Sequence, residues 1–324
     1  MNYNYIKCSI LFLLSISVVN SAYAQNKIAA GYIEKWGNFD TWRVREIKES
    51  GIIGGHSRYL YEIASGDTLR GATPYVNSAQ NVWSTSNVLA IVSGIVKTSC
   101  TVFPEKRDTG KCARLETRLE HVKVLGIINM HVLASGTIFL GKMLEPITGT
   151  KDPQSKMCAG IPFTDKPVGI SFDYKVIVGN NRIKSSGFSA QKQLGDADYA
   201  ECVVMLQKRW EDGQGNVYSK RVGTAYHRFT KSNTQWTNNF FVKINYGDIT
   251  KEGFYKPYMQ LIPNELSNYT VNSKGKSVPI KEVGWGSPND TPTHLIMRFT
   301  SSYGEAYIGD ITNKLWVDNV KVVY

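Results

Sequence analysis

The sequence has little of what a helical or metal-dependent protein requires. Only 11 of its 324 residues are proline, which excludes a collagen-like or Pro-rich disordered chain. No stretch after residue 24 keeps an apolar 3.6-residue period over several turns, so we expect little helix. No Cys or His pair has metal-ligand spacing, and no Ser or Cys lies in a nucleophile elbow. These absences disfavour a zinc site and a serine or cysteine hydrolase.

The apolar run near the N-terminus is too short to span a membrane. It extends from Ile10 to Val19, follows Lys7 and precedes Ala22-Tyr23-Ala24, the pattern of a secretory signal peptide. We therefore expect residues 1–24 to be cleaved and the protein to be secreted, periplasmic or attached to the cell surface. We expect no transmembrane segment.

Four cysteines follow the signal peptide, an even number in a chain bound for an oxidising compartment. Cys100 and Cys112 flank a short polar loop, so we expect a disulfide between them and a second between Cys158 and Cys202. Closing the first loop would stabilise the fold by about 2 to 3 kcal/mol. The alternative is buried, reduced thiols, because a domain of this size does not need a disulfide.

The formal charge of +11 favours anionic partners. An exported protein with this excess of Lys and Arg attracts acidic polysaccharides or phosphorylated lipid head groups in a salt-dependent manner. Export argues against nucleic acid. The alternative is a basic surface that serves only solubility.

Alternating apolar and polar residues predict many strands, most clearly at Val168 to Val178, Trp236 to Tyr246 and residues 314–324. The turn-forming cluster at 211–216 predicts a hairpin. Because the loops are rich in Gly, Asn and Ser and no βαβ spacing occurs, we expect an all-β fold, specifically an antiparallel, jelly-roll-like β-sandwich with little helix. Alternation places Trp236, Trp316 and Val320 in its core. We expect one domain at 25–324; the alternative separates a small N-terminal subdomain at 25–98.

Several stretches together resemble the putative carbohydrate metabolism domain (PCMD) family of secreted bacterial β-sandwich proteins. They are WSTSN at 83–87, ASGTIFLG at 134–141, the stretch 160–174 with its PFTDKP, and the ending SSYGEAYIGDITNKLWVDNVKVVY. The resemblance implies a jelly-roll sandwich like those of carbohydrate-binding modules and a link to glycan use. It transfers no catalytic residues. Such domains usually end with two consecutive acids, where this chain has Asp318-Asn319.

Aromatic side chains in loops and turns are the candidates for sugar contact, because pyranose rings stack on aromatic rings. Trp285 lies between two glycines, and Trp210 flanks the predicted hairpin turn. Tyr303 and Tyr307 precede the last strand, and Trp83 has Asn87 four residues on. For each residue the alternative is a structural role, such as a loop anchor or cross-strand packing.

Calcium is the one metal for which the sequence offers carboxylates; otherwise we expect no cofactor. If the first and last strands pair, Glu34 and Asp318 would lie close enough to share a structural calcium ion with backbone carbonyls. Asp196 and Asp198 are a second, weaker pair. For catalysis, Glu116 and Glu120 are about 13 Å apart along one predicted strand, and interleaved Arg residues favour a solvated sheet face instead.

These observations favour an exported, non-catalytic protein that binds carbohydrate, including acidic glycans. The first alternative is a glycoside hydrolase-like enzyme whose two carboxylates come from distant loops. The second is a surface adhesion or structural protein without a sugar site. Whether the protein is an enzyme stays open at this point, with non-catalytic binding favoured.

Overall fold

Strands dominate the backbone, so the all-β class predicted from the alternating pattern is confirmed. A computed structural model describes residues 29–78, 80–124, 128–149, 153–187 and 190–324. The expected signal peptide at 1–24 lies outside these residues. One α-helix, α1, spans 29–37. Among the described residues, no helix has the length and apolar character needed to cross a membrane.

Within the described ranges, 26 strands and four short 3-10 helices follow α1. The strands of the first half are β1 (Arg43–Lys48), β2 (Ser57–Glu62), β3 (Leu69–Arg70), β4 (Trp83–Thr85), β5 (Val88–Val92), β6 (Ile95–Ser99), β7 (Val102–Arg107), β8 (Gly110–Glu116), β9 (Arg118–Val124), β10 (Ile128–Ala134), β11 (Thr137–Met143), β12 (Met157–Ala159) and β13 (Ile161–Pro162). Those of the second half are β14 (Gly169–Ile177), β15 (Ile183–Lys184), β16 (Ser186–Gly187), β17 (Lys192–Gln193), β18 (Ala200–Glu211), β19 (Val217–Phe229), β20 (Asn233–Lys243), β21 (Asn245–Tyr246), β22 (Tyr269–Val271), β23 (Ser277–Trp285), β24 (His294–Thr300), β25 (Ile308–Gly309) and β26 (Lys314–Val323). The 3-10 helices are Gly51–Ile53, Pro153–Lys156, Pro257–Met259 and Asn264–Leu266.

Seven strands close into a barrel. Their hydrogen-bonded order is β24, β18, β19, β23, β22, β12 and β11, and β11 pairs back with β24. The hairpin of β18 and β19 occurs where the turn cluster predicted it. The pairs β19–β23 and β12–β22 are parallel. The predicted arrangement was wholly antiparallel, and these two parallel pairs correct it.

An antiparallel five-stranded sheet, in the order β20, β14, β26, β8 and β7, packs against the barrel. The largest hydrophobic cluster joins the two layers. Phe172 of β14 contacts Phe299 of β24 with ring centroids 4.8 Å apart, and Ile33 of α1 belongs to the same cluster. The core therefore lies between the barrel and the five-stranded sheet, and the jelly-roll-like sandwich stays a prediction.

The N-terminal segment contributes to two clusters. Strands β2, β1 and β3 form a small sheet, β5 and β6 form a hairpin, and Leu60 and Leu89 pack together between them. Phe39 and Trp83, from the same segment, are buried in the largest cluster. A division at residue 98 would therefore separate residues that share one core.

The predicted faces of β26 and β20 change partway along each strand. Leu315, Val317, Val320 and Val322 all lie in the largest cluster, because Asn319 has a positive φ of 51° that interrupts the alternation. Trp316 therefore points to the outer face, where Lys175 lies 4.4 Å from its ring centroid. Trp236 of β20 likewise contacts Arg107 on the outer face, at 3.9 Å. The prediction that Trp236 lies in the core was wrong, because its side chain is only partly buried. Trp316 is buried as predicted, at 8% exposure, but on the outer face of the sheet.

The two predicted disulfides are absent, because Cys100, Cys112, Cys158 and Cys202 are free thiols. The register of β7 with β8 places Cys112 opposite Glu105 rather than beside Cys100. Cys202 is buried in the largest cluster, to which Cys158 does not belong. The alternative of reduced, largely buried thiols is the one that the structure shows.

Candidate functional site

The candidate site is a cavity of about 650 Å³. Residues of β5, β6 and β10 line it together with residues of the barrel strands β11, β18 and β24 and of the loop at 302–307. The volume falls within the range of roughly 300 to 1,000 Å³ that is typical of small-molecule sites. The apolar part of the wall is aliphatic and includes Val88, Val92, Ile95, Val132, Met143 and Ile147.

The register of the barrel strands brings polar side chains to this cavity. Glu201 of β18 lies opposite Thr300 of β24 and Arg228 of β19. Two residues further along β18, Val203 lies opposite Arg298 and Tyr226. Because directly opposed residues, and residues two apart along a strand, share a face, Glu201, Arg298 and Tyr226 lie on one side of the sheet.

Glu201 and Arg228 form a nearly buried ion pair at the edge of the cavity. The side chain of Glu201 is 1% exposed, and Arg228 Nε donates a hydrogen bond to Glu201 Oε1 at 2.8 Å. Burial, and then the charge of Glu201, raises the pKa of Tyr226 well above its ordinary value. The Tyr226 hydroxyl therefore stays protonated and can donate a hydrogen bond.

A row of aromatic and cationic side chains lies beside the cavity. We call it the tyrosine–arginine row; its members are Tyr199, Tyr303, Arg182, Arg228, Tyr226 and Tyr258. Tyr199 and Tyr303 stack with centroids 5.7 Å apart and an interplanar angle of 19°. The guanidinium carbon of Arg228 lies 4.0 Å from the ring centroids of both Tyr303 and Tyr258. Each such contact is typical of a cation–π interaction.

Hydrogen bonds and ring contacts fix the side chains of the row. Arg182 Nη1 donates to the Tyr303 hydroxyl at 2.8 Å, and Arg182 Nη2 donates to the Tyr303 carbonyl at 3.0 Å. Tyr258 is 37% exposed, and its ring contacts Tyr226 at 5.0 Å. The rings are therefore fixed in orientation while part of their surface faces solvent.

The acids that line the cavity are already paired with cations. Glu120 contacts Lys97 at 3.6 Å, and Glu305 contacts Lys184 at 3.7 Å. Glu201 is bound by Arg228. A glycosidase needs one carboxyl group that can give a proton and a second that can act as base or nucleophile. Paired in this way, these acids suit hydrogen bonding to a ligand better than proton transfer.

The structure distributes the predicted ligand residues over several places. Tyr307 lines the cavity, and Tyr303 belongs to the tyrosine–arginine row. Trp210 is 44% exposed at the hairpin and stacks on Tyr218 across the strands, at 5.8 Å. Trp285 ends strand β23 rather than lying in an irregular loop, and it contacts Arg221 at 5.3 Å.

Trp83 is a core residue. Its side chain is fully buried, and its indole Nε1 donates to the carbonyl of Ile33 at 3.0 Å. It packs against Phe39 and Phe299. The prediction that Trp83 contacts a ligand is corrected: no face of the ring is accessible, and its role is to attach α1 and β4 to the core.

The strand pairing on which the expected calcium site depends does not occur among the described residues. Glu34 is exposed on α1, and β26 pairs with β14 and β8 rather than with an N-terminal strand. Asp318 instead binds Arg107 Nη1 at 2.7 Å, and burial raises the pKa of Asp318 to about 6. Asp198 is buried and Asp196 is exposed. The described part of the chain contains no group of three or more His, Cys, Asp or Glu that could hold a metal ion.

Most of the residues at this site were not predicted from the sequence. Glu201, Arg228 and Arg298 each lie in a run that otherwise reads as strand, with the charge on the face of the barrel interior. A charged residue on the apolar side of a predicted strand is the signal that would have found them. Tyr258 had no such signal, because the loop before β22 brings it to the row.

The fold and cavity define an all-β protein with a ligand-sized cavity beside the barrel strands β11, β18 and β24. The chain belongs to the family described as "Putative carbohydrate metabolism domain", whose model matches residues 39–323. No curated protein matches the chain.

Two solved structures are similar to the chain. One is a putative glycoside hydrolase from Bacteroides thetaiotaomicron, 20% identical, with 70% of this chain and 58% of that chain covered and a TM-score of 0.43. The other is a putative glycoside hydrolase from Bacteroides vulgatus, 16% identical, with 88% of this chain and 96% of that chain covered and a TM-score of 0.45. This chain spans less than two thirds of the length of the first.

Proposed function

We propose that this protein is an exported, non-catalytic glycan-binding protein and that the tyrosine–arginine row is its binding surface. The observation that carries the proposal is the fixed, partly exposed stack of tyrosine rings around Arg228, beside a ligand-sized cavity. The jelly-roll-like sandwich and the cleaved signal peptide are part of the proposal. They are supported by the two-layer core and by the N-terminal sequence.

The row has the two features that sugar recognition requires. Aromatic rings offer flat apolar surface to the C–H face of a pyranose, and Arg side chains donate hydrogen bonds to hydroxyl or carboxylate oxygens. The rings do not have to be ordered on binding, because Arg182 and Arg228 already hold them, and this lowers the entropic cost. The formal charge of +11 further favours an acidic glycan.

Substitution of the row tests the proposal. On a glycan array, followed by calorimetry with the best ligand, we expect Tyr258→Ala and Tyr303→Ala each to weaken binding by about tenfold or more, equivalent to about 1.4 kcal/mol. Tyr59→Ala is the matched control, because Tyr59 is 50% exposed on β2, outside the row. Loss of binding in Trp285→Ala or Trp210→Ala, with the row variants unchanged, would place the sugar elsewhere and contradict the site.

A separate measurement tests the absence of catalysis. We expect no release of soluble sugar from a panel of neutral and acidic polysaccharides, because the cavity acids are ion-paired. Product release that disappears in Glu201→Gln, while the folded protein keeps its circular dichroism spectrum, would instead establish a glycoside hydrolase.

A further inference from the structure

The cavity beside the row has a chemical character that a sugar does not explain. The apolar part of its wall is aliphatic, and Tyr307 is its only aromatic lining residue among those described. Sugar sites typically present aromatic rings and many hydrogen-bonding groups to the hydroxyls. An aliphatic wall favours a ligand with a hydrocarbon part, since its burial is driven by the loss of apolar surface from water.

One cation in this cavity has no counter-ion among the described residues. Of the described residues that line it, five are charged, and four of these take part in ion pairs: Lys97, Glu120, Glu201 and Glu305. Arg298 is the fifth. Its Nε is buried and has no hydrogen-bond partner among the described residues, and no described carboxylate lies within 4.0 Å of its side-chain nitrogens.

The position of Arg298 in the barrel explains its isolation. It lies opposite Val203 on one neighbouring strand and Phe139 on the other, and neither side chain can accept a hydrogen bond. Glu201, the acidic residue on the same face of the neighbouring strand, already forms an ion pair with Arg228. A buried guanidinium Nε without an acceptor is unfavourable. An oxyanion in the cavity would satisfy it with charge-assisted hydrogen bonds.

We propose that this cavity binds an amphiphile with one aliphatic chain and an oxyanion head, the chain lying along the wall formed by β5, β6 and β10 and the head pairing with Arg298. The head is a carboxylate or a phosphate, which share this chemistry. The volume of about 650 Å³ accommodates a molecule of this class. The proposal does not depend on glycan binding at the tyrosine–arginine row.

A series of soluble alkyl compounds separates the contribution of the chain from that of the head. With calorimetry on the purified protein, we expect hexanoate, octanoate and decanoate to bind with a dissociation constant that falls by about fourfold for each added methylene. At constant chain length, octanoate or octyl phosphate should bind at least tenfold more tightly than octanol, and octylammonium should bind most weakly. Comparison of octanoate with octyl phosphate identifies the preferred head.

Variants of Arg298 test the pairing. Arg298→Gln should remove the preference for octanoate over octanol, whereas Arg298→Lys should retain part of it, which separates charge from structural damage. Lys142→Gln removes the same charge from an exposed position of β11 outside the cavity lining and should change nothing. Equal binding of octanol and octanoate, binding that does not depend on chain length, or an unchanged preference in Arg298→Gln would each overturn the proposal, as would failure of every compound to bind.

Discussion

Arg221 and Glu282 form an ion pair inside the barrel, with side chains that are 0% and 1% exposed. Glu282 also accepts hydrogen bonds from Gln207 Nε2 at 2.9 Å and from the backbone N–H of Ile262 at 2.8 Å. Arg221 Nη1 donates to the carbonyl of Met259 at 3.0 Å. At the residue scale, this network attaches the loop at 257–268 to the barrel wall.

Removal of the negative charge should be costly, because Arg221 would stay buried without a counter-ion. We expect Glu282→Gln to lower the free energy of unfolding by about 3 to 5 kcal/mol, measured by urea denaturation. The control is Glu46→Gln, whose partner Arg70 is 75% exposed; a change below about 1 kcal/mol is expected there. Similar losses in both variants would contradict a special role for the buried pair.

Asp198 is a buried acid with asymmetric hydrogen bonding. The backbone N–H of Asp310 and Nδ2 of Asn313 both donate to its Oδ2 at 2.8 Å, whereas its Oδ1 has no hydrogen-bond partner among the described residues. Burial raises the pKa of Asp198 to about 6. Arg182 Nε lies 3.7 Å from Oδ1, within ion-pair but not hydrogen-bond distance, so Oδ1 is where the proton of the neutral form would reside.

The raised pKa of Asp198 has a defined effect on stability. The folded protein holds this proton more tightly than the unfolded chain, in which the pKa is about 3.9. The contribution of Asp198 is therefore most favourable below about pH 4 and declines as the pH rises to about 6. Asp198→Asn resembles the neutral form and lacks this decline.

We expect the unfolding free energies of the wild type and of Asp198→Asn to diverge by up to about 3 kcal/mol between pH 4 and pH 6. Urea denaturation at half-unit intervals of pH measures the difference. A constant difference across this interval would show that the pKa of Asp198 is not raised.

At the element scale, Asp173 organises the centre of the five-stranded sheet. It lies on β14, and its Oδ1 accepts a hydrogen bond from the backbone N–H of Asn239 on β20 at 2.7 Å. Its Oδ2 accepts one from Asn319 Nδ2 on β26 at 2.8 Å. Both asparagines have positive φ values, 53° and 51°. One carboxylate therefore fixes two irregularities, one in each neighbouring strand.

The positive φ of Asn319 restricts which residues are tolerated at position 319. The left-handed region costs most L residues about 1 to 2 kcal/mol, and Asn and Gly least. We expect Asn319→Val to lower the free energy of unfolding by more than Asn319→Gly does, because Val is β-branched and both variants lose the bond to Asp173. Thermal unfolding monitored by circular dichroism gives the order. Equal losses would indicate that only the hydrogen bond matters.

This irregularity also shows where the sequence was informative about elements. The period-two pattern located β14 and β26, and the turn cluster located the β18–β19 hairpin, because both signals depend on neighbouring residues. The change of face at Asn319 depends on a carboxylate 146 positions away. Alternation alone therefore assigned Trp316 to the inward face, although its ring is buried on the outer face, against Lys175.

At the scale of the whole molecule, the barrel closes through a contact between distant parts of the chain. Ile138 of β11 lies opposite Phe299 of β24, and no local pattern specifies that pairing. The candidate site depends on the same closure, since it brings Thr137, Glu201 and Arg298 to one cavity. The position of Tyr303 and Tyr307 in a turn-rich loop could be predicted from the sequence. The inward charges could be located only after the register was known.

The state of the thiols follows from the same distant packing and can be measured for the whole protein. Burial raises the pKa of Cys100 and of Cys112 to about 12, and that of Cys202 well above its ordinary value. Because the thiolate is the reactive form, we expect iodoacetamide at pH 8 to modify the native protein slowly and to modify all four described cysteines after unfolding. Dithiothreitol should leave the melting temperature unchanged. The disulfides predicted from the sequence would be established if the unfolded protein resists alkylation until it is reduced. A melting temperature that falls on reduction would establish them as well.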